Sequence, residues 1–200
     1  MIERLERIDG MSARTDLLTE RLLLRPWRAE DAAMLLPILE ANREHLSPWI
    51  PARVAEPLPV PALAARLQAD AEAFAGDRAW RYATLSPADG RLLGELSLFP
   101  RSAAGRVPLA EADRAEIGYW LRADETGRGL ATEGVRALLE AAMAIERFRQ
   151  LEIRCDARNG PSIAIPRRLG FHLAETIEVP ADLPHEPAVR LQVWLSPCIR

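Results

Sequence analysis

Residues 125–140 read Glu125-Thr-Gly127-Arg-Gly129-Leu-Ala131-Thr-Glu-Gly-Val-Arg-Ala-Leu-Leu-Glu140. A glycine-rich turn passes straight into an apolar-periodic helix, and just upstream Ala115-Glu-Ile-Gly-Tyr-Trp-Leu121 has the alternation of a strand. Strand, glycine turn and helix in that order build an anion site. Free N–H groups at the helix start point outward, and the helix dipole favours negative charge there. Gly127 and Gly129 carry no Cβ, so a phosphate can come close to the backbone. The candidate donors are the main-chain N–H groups of Arg128, Gly129, Leu130, Ala131 and Thr132, with the Arg128 guanidinium beside them. The competing reading is a tight connection without a ligand. Two nucleotide motifs are excluded. A dinucleotide fingerprint needs a third glycine where Thr132 stands, and a Walker loop needs a lysine, which the chain lacks altogether.

Outward from this unit, strands and helices mix without strict alternation. Leu22–Arg25 reads as a strand closed by Pro26, and Arg28-Ala-Glu-Asp31 starts a helix that Pro37 is expected to kink or end early. Five prolines between Pro48 and Pro61 mark a loop with Trp49 as its anchor, and 62–75 reads as a second helix. Trp80–Leu85 and Leu92–Phe99 form a hairpin around Pro87-Ala-Asp-Gly90, followed by a flexible loop over 101–114. The helix after the glycine turn is expected to reach about Arg147. Leu151–Asp156 is a strand, Pro161–Arg168 a short helix bent by Pro166, and 173–179 with 188–195 an antiparallel pair. An α+β or mixed α/β sheet is the expected architecture, with 1–16 as a leader and 17–200 as one domain.

Bulk composition narrows the function. A hydrophobic fraction of 48% allows a real core, and a net charge of -3 gives no electrostatic reason to expect nucleic acid. Cys155 and Cys198 make no disulfide framework, and no cysteine–histidine cluster has zinc spacing, so no metal is expected. Met1–Asp16 lacks the apolar core of a secretion signal, and no stretch approaches bilayer-spanning length. A cytoplasmic protein without a membrane partner is expected. His172 and His185 have no role assigned.

A second constellation, Asp156-Ala-Arg-Asn159-Gly-Pro-Ser162 followed by Arg167-Arg-Leu-Gly170-Phe171, places Asn159 and Ser162 at a helix start, where capping is the simplest role. Together the two constellations resemble the GCN5-related N-acetyltransferases (GNAT), and most of all their RimJ/RimL branch, which acetylates N-termini of ribosomal proteins. The matching pieces are Leu22–Trp27, Leu46-Ser-Pro-Trp-Ile-Pro51, Glu116-Ile-Gly-Tyr-Trp120, Gly127-Arg-Gly-Leu-Ala-Thr-Glu133, and Asn159-Gly-Pro-Ser162 through Gly170-Phe171. In order, they cover nearly the whole chain.

The resemblance implies a strongly twisted mixed sheet of about seven strands, splayed in the middle, with helices on both faces and acetyl-coenzyme A as co-substrate. It puts the diphosphate on Thr126-Gly-Arg-Gly129-Leu-Ala131, where Thr126 replaces the family's Gln or Arg and Arg128 is expected to supply the charge. The backbone of Tyr119, Trp120 and Leu121 would pair with the pantetheine arm, and Asn159 would contact that arm or help order the site. Glu116 is the candidate general base and Glu95 a second. The family's usual tyrosine acid falls on Pro166, so Ser162 is the candidate acid. His45, Trp49, Tyr82 and Glu95 would border the acceptor cleft, with Tyr82 equally placed as core. The acceptor is a primary amine, either a protein N-terminus or a small molecule, in a direct ternary transfer by a monomer or homodimer. The alternative is a non-catalytic acyl-coenzyme A sensor, which the missing tyrosine and Thr126 motivate.

Overall fold

The computed structural model describes residues 13–179 and 188–198; most of the expected leader, and His185, lie outside them. The strands are β1 (Leu17–Leu18), β2 (Leu23–Pro26), β3 (Trp80–Leu85), β4 (Leu92–Ser102), β5 (Gly105–Arg106), β6 (Arg114–Leu121), β7 (Gln150–Asp156), β8 (His172–Val179) and β9 (Val189–Leu195). They form one nine-stranded sheet in the order β1-β2-β3-β4-β6-β7-β9-β8, with β5 pairing the end of β4. Seven of these are the strands of the sequence reading; β1 and β5 are two-residue pieces too short to leave a periodic signal.

Strand alternation sends side chains to two cores. Beneath the long helix α5 (Leu130–Met143) lie Leu96, Leu98, Ile117, Leu151 and Ile153, packed against Val135 and Leu138. On the other face, α1 (Ala32–Ala41) and α4 (Val60–Ala75) cover Trp27, Leu85, Leu92 and Trp120 with Leu35, Leu39, Leu63 and Leu67. Helix α1 runs through Pro37, because Leu35, Ile38 and Leu39 around it are all buried. The proline-rich stretch holds two single-turn helices, α2 (Arg43–Leu46) and α3 (Ala52–Ala55). Helix α5 stops at Met143, short of the expected Arg147. The chain tightens there, Ile145 N bonding Ala142 O and Phe148 N bonding Ile145 O, which tucks Ile145 and Phe148 into the core. The expected flexible loop after residue 101 begins as strand: β4 continues to Ser102 and folds back on β5.

Strand pairing in the middle of the sheet positions the site. Parallel β6 and β7 pair only from Arg114↔Gln150 to Ile117↔Ile153. Beyond that point β6 stays with β4 as far as Leu121↔Gly94, and β7 stays with β9 as far as Asp156↔Leu191. The strands therefore part after Ile117, leaving 118–121 and 154–156 facing each other across a gap. The short helix α6 (Gly160–Arg168) follows β7 at the mouth of that gap.

Candidate active site

The glycine turn adopts the backbone that its sequence permits. Gly127 and Gly129 have φ of +74° and +81°, the left-handed region that side chains disfavour. No N–H from Gly127 to Thr132 donates to an acceptor among the described residues, and the first bond of the new helix runs from Glu133 N to Gly129 O, 3.0 Å. Neither glycine has an atom within 3.4 Å of where a Cβ would stand, so the backbone of the turn is open to close approach on that side. A clamp holds them there. Glu133, in the first turn of α5, accepts from Thr19 Oγ1 at 2.6 Å, Arg21 N at 2.9 Å and Arg21 Nε at 2.7 Å, while Arg21 also donates to Arg128 O at 3.0 Å. Thr126 spends its hydroxyl on Ala123 O at 2.8 Å.

The turn separates two concavities. One, about 250 Å³, opens beside the unpaired end of β6, bordered by His45 and Leu46, by Tyr119–Leu121, by Asn159 and by Ser162 of α6. The other, about 1010 Å³, is a broad groove along the start of α5 that presents Arg14, Arg21, Arg136 and Arg168. Asn159 caps α6 by accepting from Ser162 N at 3.1 Å, so the capping role expected for it is present. Tyr119 reaches from β6 to the same helix turn, its hydroxyl 3.0 Å from Ser162 Oγ and 3.1 Å from Ser162 O. Burial raises the Tyr119 pKa well above its ordinary value, so it remains a neutral phenol at any working pH.

The cavity thus gathers most of the residues singled out from sequence: His45, Tyr119, Trp120, Leu121, Gly127, Gly129, Leu130, Ala131, Thr132, Asn159 and Ser162. Others stand elsewhere. Arg128 does not offer its charge freely; its guanidinium pairs at 2.5 Å with Glu125, a buried carboxylate that also holds Arg91 at 2.7 Å. Trp49 is 39% exposed and lies outside the cavity lining. Tyr82 is a core residue rather than cleft wall, with its hydroxyl bonded to Arg14 O at 2.8 Å. Glu95 is buried between Arg81 at 2.6 Å and the indole N–H of Trp27 at 3.0 Å. Desolvation raises its pKa against the pull of Arg81.

Glu116 sits in the still-paired part of β6, opposite Glu152 of β7. One oxygen is bonded by Arg101 and the other by Arg106 at 2.6 Å. Arg101 also reaches Glu152, which Arg114 and Arg154 approach as well. Burial pushes the Glu116 carboxyl up, but Arg106 and Arg101 outweigh it and leave the pKa below its usual value. Such a carboxylate is a weak base. The glycine spacing carried no trace of the Arg21–Glu133 clamp, because its partners lie more than a hundred residues apart; Glu133 alone reads as a dipole-matching acid in a first helical turn. The Tyr119 hydroxyl leaves no local signal either, because its partner Ser162 is 43 residues away in the chain. Among the described residues no cluster of side chains suits a metal ion, and no helix is long and apolar enough to cross a membrane.

A sheet that parts beside an open glycine turn, with a short helix at the mouth of the gap, is the architecture of an acyl-transfer fold. The acetyltransferase (GNAT) domain family matches residues 21–172, and the chain belongs to that family. It is 25% identical over 151 residues to "Probable N-acetyltransferase YjcK" of Bacillus subtilis (strain 168), covering 76% of this chain and 80% of that protein. Two solved structures share the fold. RimL, described as a ribosomal L7/L12 alpha-N-protein acetyltransferase in complex with coenzyme A, superposes with a TM-score of 0.76 at 19% identity, over 90% of this chain and 96% of its own. The microcin C7 self-immunity acetyltransferase MccE, in complex with acetyl-CoA and AMP, gives 0.75 at 17% identity, over 89% and 93%.

Two outcomes follow from this geometry. Gly129→Ala forces a side chain into left-handed backbone, at about 1–2 kcal/mol, and puts a methyl beside the free donors. Calorimetric titration is expected to show coenzyme A affinity falling roughly tenfold or more; unchanged affinity contradicts a ligand at this turn. Glu116→Gln strips the buried Arg101 of a charged partner and is expected to lower stability by about 1–3 kcal/mol. Because the folded pKa of Glu116 is depressed, its contribution is complete above the usual value of 4.5 and is lost as pH falls through the lower folded value. The gap in denaturation midpoint between wild type and Glu116→Gln should therefore be widest near neutrality, begin to narrow below about pH 4.5, and close only as pH falls past the lower folded value.

Proposed function

We propose that the chain transfers the acetyl group of acetyl-coenzyme A to an α-amine by direct attack within a ternary complex. The observation that carries this reading is the run of unpaired N–H groups at left-handed glycines, opening into a cavity bordered by the unpaired edge of β6. The diphosphate lies on those N–H groups. The nucleotide end, with its further phosphate, lies in the arginine-rich groove, and the pantetheine arm runs along Tyr119–Leu121 like an added strand. The thioester then reaches the turn of α6 that carries Ser162.

The chemistry needs a neutral amine. Its lone pair attacks the thioester carbon, a C–N bond forms, and the carbonyl electrons move onto oxygen. Collapse of that intermediate breaks the C–S bond, with the electron pair leaving on sulfur. Ser162 gives its hydroxyl proton to the sulfur and takes the one shed by the new C–N nitrogen, so the products are an amide and a thiol. Glu116 is not required to remove the amine proton; with both oxygens held by guanidinium groups it orders the sheet behind the site. An enzyme without a strong base selects amines that are already neutral. An α-amine titrates near 8 and a lysine side chain near 10.4, so at pH 7.5 the neutral fractions differ on the order of 100-fold. That difference favours a peptide N-terminus, which is the kind of acceptor named for RimL.

The alternative, a sensor that binds acyl-coenzyme A without turnover, draws support from the engaged state of Glu116 and from Thr126. Mass spectrometry separates the two. Peptides with a free α-amine are expected to be acetylated about 100-fold faster at pH 7.5 than N-blocked peptides bearing one lysine. The advantage should shrink as pH approaches 10. Equal rates contradict the α-amine assignment, and tight binding of acetyl-coenzyme A with no turnover of any amine establishes the sensor. Ser162→Ala is expected to lower kcat roughly tenfold or more with little change in coenzyme A affinity.

A further inference from the structure

We propose that Tyr119 is a positioning residue for the acid of the transfer step, made so by Pro166. The inference rests on the assignment of proton transfer to Ser162 above. In a helix the carbonyl of Ser162 accepts from the N–H four residues on. That residue is Pro166, which has no N–H. The Tyr119 hydroxyl, 3.1 Å away, stands in for the missing donor.

A phenol has one proton. Either hydroxyl could donate across the second close approach, 3.0 Å between Tyr119 Oη and Ser162 Oγ; once the Tyr119 proton goes to the carbonyl that Pro166 leaves without a donor, the serine is the donor. Ser162 therefore rests with its proton directed at Tyr119 and its oxygen held in a fixed rotamer at the cavity wall, which both residues line. The Cys155 thiol also reaches Ser162, but a thiol is a weak acceptor and competes poorly with the phenol oxygen. The phenol stays neutral, so it cannot take the serine proton away; it only orients it. As charge builds on the departing sulfur, the serine proton turns from Tyr119 to that stronger acceptor, while the Tyr119–carbonyl bond keeps the helix turn in place. Asn159 fixes the same turn from the other side through Ser162 N, 3.1 Å.

The two duties of Tyr119, filling an orphaned carbonyl and orienting a hydroxyl, can be separated. Pro166→Ala returns an N–H to the helix and so satisfies the Ser162 carbonyl without Tyr119. Wild type, Tyr119→Phe, Pro166→Ala and the double variant are compared for thermal stability, coenzyme A affinity by calorimetry, and kcat with a saturating α-amine peptide. Tyr119→Phe is expected to lose stability and to lower kcat roughly tenfold or more, with coenzyme A affinity within about twofold. In the double variant stability returns but kcat stays low. Recovery of kcat in the double variant, or a wild-type kcat in Tyr119→Phe alone, overturns the proposal and leaves Tyr119 as a structural filler. A wild-type protein that transfers no acetyl group is a different result: it removes the functional reading first, and this inference with it.

Discussion

Beyond Ile117, β6 and β7 stop exchanging hydrogen bonds while each keeps its outer neighbour. A sheet that opens without fraying leaves main-chain donors and acceptors on two facing edges, and buried groups of that kind need partners. The glycine turn stands at the head of the opening with its own unsatisfied N–H groups, and α6 closes the opposite side. An extended ligand with amide groups and an anionic head answers both demands at once. The rest of the fold serves to keep the gap open: α5 packs on one face of the parted strands, and Trp120 locks the other into the core beneath α1 and α4.

Charge is arranged around this gap rather than inside it. The guanidinium groups beside the glycine turn are tied off by acids, Arg21 by Glu133 and Arg128 by Glu125. The carboxylates of the central strands, Glu95, Glu116 and Glu152, are each held by arginine. Apart from Arg168, His45 and the arginine-bound Glu125 at its border, the cavity is lined by weakly polar groups: a serine, a phenol, an amide and backbone. Such a site gains little by pulling protons from cations. On the mechanism proposed above, it works by holding a neutral nucleophile, a thioester and a short chain of hydroxyls in register. Thr126, where the family places Gln or Arg, fits the same pattern, since its hydroxyl closes a local turn and the donors around it are backbone N–H groups.

Much of this was legible in the sequence because it is local. Consecutive residues encode the Gly127–Thr132 turn, the Asn159 cap and the alternation of the strands, and those readings share their physical basis with the structure. The readings that changed depended on distant partners. Glu116 looks like an accessible strand carboxylate until β4 extends past Phe99 and folds back, bringing Arg101 and Arg106 onto it. Tyr82 takes the core place that is one of its two readings, while Trp49 stands half-exposed outside the cavity, because aromatic character says nothing about which side of a sheet or loop it will face. Pro166 reads as a helix flaw; only the register of β6 shows that Tyr119 supplies what it lacks.

The central claim is that main-chain N–H groups from Gly127 to Thr132 grip a diphosphate. Amide-resolved NMR during titration tests it most directly, with coenzyme A in one series and pantetheine, which has no diphosphate, in the other. The account predicts that the amide signals of Gly127 to Thr132 move strongly with coenzyme A and barely with pantetheine, while Tyr119–Leu121 respond to both. Stationary Gly127–Thr132 signals in a protein otherwise saturated with coenzyme A would contradict it.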